Sequence, residues 1–385
     1  MMSSTGVLSA GVVAACVSFF LSILIVLTQK LHGRLSLDVD LSGAQKFHKT
    51  PVPRIGGMAL SIALLAALLY QALDYPKPPS EGGTGKILLL LLAGVPAFIT
   101  GLIEDITKRT SVKSRLAATF ASALLASWLV DASLPRVDVS AIDYVFATLP
   151  FVAVAFTAFA VAGVANSINI IDGFHGLAAT TVVIILGGLG MLSWSAGDYF
   201  VLKIIAVGIG ATLGFFLINF PTGRLFMGDG GAYLLGFWVA EVAVLLIVRN
   251  PSINAWQVLA ICSYPIIEVL YSMYRKKVIR KMSPGLPDRL HLHMLIYRRL
   301  VWRFIPRNDS KPWVRNAAVS CVTAVWIGGM TVIAVIFGSD APALVVLANV
   351  AIYITVYTRL VRGRWRLNPV LALGIRPDSA VKEAR

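Results

Sequence analysis

The sequence predicts an all-α polytopic integral membrane protein with about eleven transmembrane helices, its N-terminus outside and its C-terminus cytoplasmic. Three observations carry this. Of the 385 residues, 57% are hydrophobic and only 14% charged, where a soluble domain carries about a quarter charged residues. The apolar residues fall in runs long enough to cross a bilayer core, which takes about 20 residues of helix. The Lys and Arg residues fall between those runs and almost entirely on one side. The net charge of +15 is then a topological signal and an attraction for anionic lipid or phosphate, so no nucleic-acid partner is expected.

Taken in order, the runs lie at 6–28, 55–74, 86–103, 115–131, 145–165, 176–192, 199–218, 230–248, 254–274, 315–337 and 341–360. The first carries no charge before Lys30. It therefore lacks the basic segment that precedes a cleaved leader and reads as a retained span. The stretch "YPKPPSEGGTG" (75–85) reads as a plain loop. Cys16, Cys262 and Cys321 lie inside apolar runs, without metal-ligand spacing or a disulfide framework. Alternate loops gather 29 of the 34 Lys and Arg residues on one side, and five (Lys77, Lys86, Arg136, Lys203, Arg249) on the other. The basic side is the cytoplasmic one. Residues 1–360 form one transmembrane domain with cytoplasmic loops at 29–54, 104–115, 166–176, 219–229 and 275–315. Residues 361–385 form a basic cytoplasmic tail that attracts membrane lipid.

Every chemically rich stretch falls on that cytoplasmic side. "GLIEDITKRTSVKSR" (101–115) ends the third run, "NSINIIDGFHGLA" (166–178) ends the fifth, and "GRLFMGDGGAYLLG" (223–236) opens the eighth. "SPGLPDRLHLHMLIYRR" (283–299) lies in the longest loop, and "KFHKTPVPRIGG" (46–57), with Lys49, precedes the second run. Glu104, Asp105, Asp172 and Asp229 supply four acids, and Asn169 adds a neutral oxygen. Hard oxygen ligands at a membrane surface suit Mg²⁺, with Mn²⁺ as an alternative, because Mg²⁺ binds through one or two carboxylates plus substrate phosphates. Asn169 and Asp172 share one face if the helix continues through them. The glycines around Asp229 mark a helix start whose N–H groups favour phosphate. Lys113, Arg115, Arg289, His291 and His293 are the basic complement. The two histidines, two residues apart, point the same way only on an extended or loop backbone. Cations and a divalent ion around phosphate oxygens are the apparatus of phosphoryl transfer.

These stretches, in this order, resemble the cytoplasmic motifs of the polyprenyl-phosphate N-acetylhexosamine-1-phosphate transferases, and the chain looks nearer to the WecA-like branch than to the muramoyl-pentapeptide branch, whose triple histidine it lacks. The resemblance runs from about residue 46 to 300 and includes the span count. It implies transfer of a sugar 1-phosphate from a UDP-sugar to undecaprenyl phosphate at a bacterial inner membrane, with release of UMP. By the same resemblance, Asp229 and Asn169 bind Mg²⁺, and Asp105 with Glu104 lies beside the lipid phosphate. Arg289, His291 and His293 grip the diphosphate, Asp172 shapes the nucleotide end, and a homodimer is compatible with the family. Three positions depart from the pattern: Glu104 stands where an aspartate is usual, His175 where a second acid follows the "DG" aspartate, and Met294 where a third histidine falls. The non-enzyme alternative is a transporter of an anionic solute using Glu241, which lies in mid-run and is expected to be paired within the bundle.

Overall fold

The computed structural model describes residues 4–38, 51–74 and 84–363, except 284, 286–288, 307, 309 and 312. The chain starts with α1 (Ser4–Leu27) and a short α2 (Gln29–Ser36). Leu37–Asp38 (β1) then pairs antiparallel with Val52–Pro53 (β2). The segment expected to be loop at 29–54 thus holds a helix and a small ladder. Lys49, Lys77 and the tail from residue 364 lie outside the described residues.

α3 (Gly56–Asp74) is followed by α4 (Thr84–Ala93) and α5 (Val95–Thr107), a pair bent by 42° at Gly94. The bend has a local cause: Pro96 cannot donate a backbone hydrogen bond. α6 (Val112–Val130) follows, capped by the Ser111 hydroxyl, which accepts from Ser114 N–H. α7 (Ser140–Thr148) and α8 (Pro150–Ile171) are separated at Leu149, which precedes a proline and leaves the helical region at φ −129°, ψ 76°. α9 (Leu177–Ser195), α10 (Tyr199–Asn219) and α11 (Gly228–Arg249) come next. α12 (Ala255–Ile261) and α13 (Ser263–Tyr274) form a second bent pair, at 79°, with Pro265 in the first turn of α13. The π-helical turn Arg275–Ile279 continues α13. α14 (Leu292–Ile296) runs through a second π-helical turn into α15 (Trp302–Phe304), and α16 (Trp313–Phe337) and α17 (Pro342–Val361) close the bundle.

Among the described residues, eight helices are long and apolar enough to cross a membrane, ten if each bent pair is one span. α6 is long enough but less apolar, because Lys113 and Arg115 lie in its first turn. Each of the eleven expected runs is occupied by one of these helices or bent pairs.

α11 is the axis of the bundle: every residue from Gly228 to Val242 is buried. Its neighbours α8, α5, α3 and α9 enclose it. Glu241, expected to find a polar partner there, has none for either carboxylate oxygen among the described residues. The helix that the others enclose has no polar rim for a side chain to reach.

The end of the bundle away from the motifs is clamped by ion pairs. Asp198 caps α10 through Phe200 and Val201 N–H and accepts from Arg249 at 2.8 Å and from Asn250 Nδ2 at 3.0 Å. Burial would raise its pKa, but these donors outweigh it and hold the carboxyl below its usual range. Arg136 pairs with Asp138 and donates to three carbonyls of the 250–253 turn. Four of the five cations assigned to that side are described. Lys86 pairs with Asp131, Arg136 and Arg249 with the aspartates just named, and Lys203 is buried.

Candidate active site

The site is built on the N-terminus of α11. Gly228 enters that helix with φ +74°, and a Cβ there would stand 2.5 Å from Asp105 Oδ2, so the position requires glycine. The turn lets Asp229 and Gly230 direct their N–H groups at the Asp105 carboxylate, at 2.8 and 2.9 Å. The helix start anticipated as a phosphate cradle therefore has two of its donors on an internal carboxylate. Asp105 reaches it because α5 packs flush on α11: a Cβ on Gly101 would lie 2.6 Å from Gly230 Cα. The "PRIGG" segment joins from the other side, with Gly56 and Gly57 N–H, at the start of α3, donating to the Phe226 and Met227 carbonyls.

Four of the separate stretches meet here. Asn169 Nδ2 donates to Asp229 Oδ1 at 3.1 Å, and Arg115 pairs with Asp229 Oδ2. Arg54 lies 3.5 Å from both Asp105 and Asp229 and 4.0 Å from Asp38, which Lys108 also approaches at 3.5 Å. Arg54 and Asp38 were not singled out from the sequence. Arg54 sat in the quoted "PRIGG" stretch, where it looked like one more topological cation. Arg115 also lies 5.9 Å over the Tyr233 ring, and Tyr233 donates to Asn166. Glu104 takes another course: its Oε2 accepts from Thr110 N–H at 2.6 Å and closes the turn after α5. Lys113 is exposed on the first turn of α6.

Asp172 ends α8. Desolvation pushes its pKa up to about 7, opposed by the charge of Arg54. The turn that follows is pinned from behind: Gly176 N–H donates to Asn219 Oδ1 at 2.6 Å, and Asn219 donates to the Leu225 carbonyl. His175 is buried there, its Nδ1 3.0 Å from the Pro221 carbonyl. At this departure from the family pattern the side chain knits the α8–α9 turn to the α10–α11 turn.

The histidine segment sits on the opposite wall of that turn. His291 is extended and starts α14, whereas His293 is in its first turn. Their rings are nonetheless parallel, 4° apart, with centroids at 5.5 Å. His293 is fully buried, edge-on to Phe174, and a Cβ on Gly173 would stand 3.5 Å from its Nε2. Burial pushes its pKa down to about 4, partly opposed by Glu268. Arg289, two residues before the pair, is exposed. Glu268 is fully buried and lies 2.8 Å from His291 Nδ1. In sequence it appeared only as an isolated acid in an apolar run.

The donor set suits one kind of cation. No group of three His, Cys, Asp or Glu side chains able to cage a metal occurs among the described residues. One partly accessible carboxylate, Asp229, lies beside the amide of Asn169, with Asp105 and Asp172 around them. That arrangement fits Mg²⁺, which takes one or two protein oxygens and completes its shell with water and phosphate.

Fold and site together define a class: a multi-pass membrane protein whose polar motifs gather carboxylates and guanidinium groups at one end, with a histidine pair packed on the neighbouring Gly173–Phe174 turn. Residues 87–247 match the model of glycosyl transferase family 4. Over 284 residues the chain is 26% identical to the "Probable undecaprenyl-phosphate N-acetylglucosaminyl 1-phosphate transferase" of Bacillus subtilis, covering 72% of this chain and 75% of that protein. It is 29% identical over 289 residues to the undecaprenyl-phosphate alpha-N-acetylglucosaminyl 1-phosphate transferase of Escherichia coli K12 (72% and 74% covered). It is 27% identical over 277 residues to the phospho-N-acetylmuramoyl-pentapeptide-transferase of Halalkalibacterium halodurans (67% and 79% covered). The match to this family model and the relatives together support glycosyl transferase family 4 and the WecA-like branch read from the motifs.

Proposed function

We propose that the protein transfers a sugar 1-phosphate, by default N-acetylglucosamine 1-phosphate, from a UDP-sugar to undecaprenyl phosphate, releasing UMP. We place this at the cytoplasmic face of a bacterial inner membrane, as the first membrane step of a cell-surface polysaccharide pathway. The supporting observation is the convergence of Asp105, Asp229, Asn169, Arg54 and Arg115 at one end of the bundle. A water-soluble nucleotide and a lipid headgroup can meet only at such an interface.

In this reading a lipid phosphate oxygen attacks the β-phosphorus of the UDP-sugar. A new P–O bond forms, the bond to the bridging oxygen breaks, and UMP departs with that oxygen. A phosphate monoester has its second pKa near about 6, so the nucleophile is largely dianionic and needs little help from a base. Asp229 and Asn169 would hold Mg²⁺, which supplies charge neutralisation for the diphosphate. Arg54 and Arg115 stand beside Asp229 and offer planar donors to phosphate oxygens. Asp105 holds the α11 terminus in place and takes any residual proton from the acceptor. His291, His293 and Arg289 line the side that receives the diphosphate, and Asp172 the nucleotide end.

The test is an assay of purified protein with undecaprenyl phosphate, Mg²⁺ and a panel of UDP-sugars, following UMP. Release with at least one sugar is expected; silence across the panel from folded protein refutes the assignment. Exchange of labelled UMP into UDP-sugar without lipid would replace the direct attack with a route through an aspartyl phosphate. The same assay separates the transporter alternative: Glu241→Gln retains UMP release, whereas Asp229→Asn loses it.

A further inference from the structure

Glu268 is a buried carboxylate that the proposed chemistry does not use, and it is fully satisfied. Its oxygens take His291 Nδ1 at 2.8 Å, Leu292 N–H at 3.1 and 3.2 Å, and the Tyr353 hydroxyl at 2.9 Å. With three donors converging on two oxygens, the carboxylate acts as acceptor throughout. A carboxylate on Nδ1 keeps the proton on that nitrogen, and the ring's other nitrogen, Nε2, is left for a different partner.

The residues around Glu268 reinforce the same segment. Arg275 donates to the Leu290 carbonyl at 2.7 Å, and the Tyr357 hydroxyl donates to it at 3.0 Å. Arg275 and Tyr357 also pair with each other. One residue from α13, one from its π-helical extension and two from α17 thus fasten Leu290, His291 and Leu292 in succession. The parallel stack carries that placement on to His293, which is fully buried against the Gly173–Phe174 turn with neither ring nitrogen hydrogen-bonded among the described residues. An unpartnered buried imidazole is costly unless a ligand completes it.

We propose that Glu268 is a positioning residue for the transfer reaction: by holding His291 through Nδ1 and the start of α14 through Leu292 N–H, it presents His291 Nε2 and the stacked His293 to the diphosphate of the sugar nucleotide. The proposal rests on the phosphosugar-transferase reading for its ligand, but not for its geometry. It deepens that reading by naming the group that sets the tautomer of His291 and the register of the histidine segment. Glu268 itself touches no reacting atom. Its effect runs through His291.

Two measurements test it, one independent of activity. The chain has five histidines, so protein labelled with ¹⁵N-histidine in lipid nanodiscs gives a resolvable imidazole spectrum, with His291 assigned by its loss in His291→Gln. The expected spectrum shows His291 protonated at Nδ1, with that resonance displaced in Glu268→Gln. A bare Nδ1 in the wild type, or a resonance unmoved by the substitution, overturns the proposal whatever the enzyme does. The second measurement is a double-mutant cycle on UMP release. Glu268→Gln lowers kcat/KM by about 10- to 100-fold, the range seen when the partner orienting a ligating histidine is removed. In a His291→Gln background the same change costs less than about two-fold if the two residues act as one unit. Equal losses in both backgrounds would mean a merely structural role and would sink the idea. Should Glu268→Gln not fold, Tyr353→Phe withdraws one donor from the same carboxylate and is expected to give a several-fold loss that likewise vanishes without His291. If wild-type protein releases no UMP with any sugar, the transferase reading falls, and the imidazole spectrum alone decides the positioning claim.

Discussion

Replacing Asp105 with asparagine separates a chemical role for this residue from a structural one. Its carboxylate accepts from two N–H groups at the start of the most buried helix of the bundle, at 2.8 and 2.9 Å, and is itself 2% exposed. Hydrogen bonds to a charged acceptor contribute about 1.5–3 kcal/mol each. Asparagine keeps one acceptor oxygen and turns an NH₂ toward the other N–H, so one bond survives in weakened form and one donor is orphaned. The lost charge also removes an interaction with the helix terminus of about 0.3–1 kcal/mol. The expected net loss is about 2–4 kcal/mol, measurable as a shift in equilibrium denaturation of ligand-free protein in detergent micelles, followed by tryptophan fluorescence. A residue held only for catalysis would leave stability unchanged or raised, as substitutions at functional sites often do. Unchanged or increased stability in Asp105→Asn would therefore refute the assignment of Asp105 as the cap of α11. Activity loss alone would not distinguish the two roles.

Gly101→Ala should destabilise by about 1–3 kcal/mol, as overpacking does, because its methyl would lie 2.6 Å from the α11 backbone; thermal denaturation checks it. Mg²⁺ should raise the melting temperature of the wild type and leave Asp229→Asn unmoved, read by thermal shift in the absence of substrate. The pH dependence of stability holds two opposing contributions. Between about pH 4 and 6.5 the folded state leaves His293 neutral while the unfolded chain protonates it, so this contribution is lost as pH falls. Between about pH 4 and 7 the folded state keeps Asp172 protonated while the unfolded chain does not, so this one is lost as pH rises. Each slope is at most about 1.4 kcal/mol per pH unit, and the two have opposite signs. Relative to the wild type, the stability slope from pH 4.5 to 6.0 should become more negative in His293→Gln and more positive in Asp172→Asn, both by chemical denaturation at the two pH values. Identical slopes in the two variants would contradict the pairing.

Much of this architecture is legible in one dimension because a bilayer imposes a length. Each long apolar run became a helix, and the motifs between them could be recognised by residue type. What the runs conceal is where a helix breaks: the 79° bend between α12 and α13 lies inside a single run. Acids and amides were easy to notice as candidates because oxygen ligands are conspicuous against an apolar background. Arg54 was not, since in a chain with 34 Lys and Arg residues another cation beside a span looks like topology. Only the packing of Gly57 and Gly101 on α11 brings it between three aspartates. Glu268 and Glu241 look alike in sequence, each a lone acid in a span. One proves to be completely hydrogen-bonded and the other to have no partner among the described residues, a difference decided by His291 and Leu292 of the histidine segment and by Tyr353 of α17.

That distance has a consequence for biogenesis. Tyr357 fastens Leu290 across 67 residues, and Tyr353 reaches Glu268 across 85, both from beyond the stretch that matches the family. During synthesis the earlier helices can enter the bilayer and gather around α11, and Glu268 can meet His291, before Tyr353 and Tyr357 exist to brace them. α17 follows them and completes the brace, so a chain terminated before it would carry the acidic half of the pocket with a histidine wall held by Glu268 and Arg275 alone.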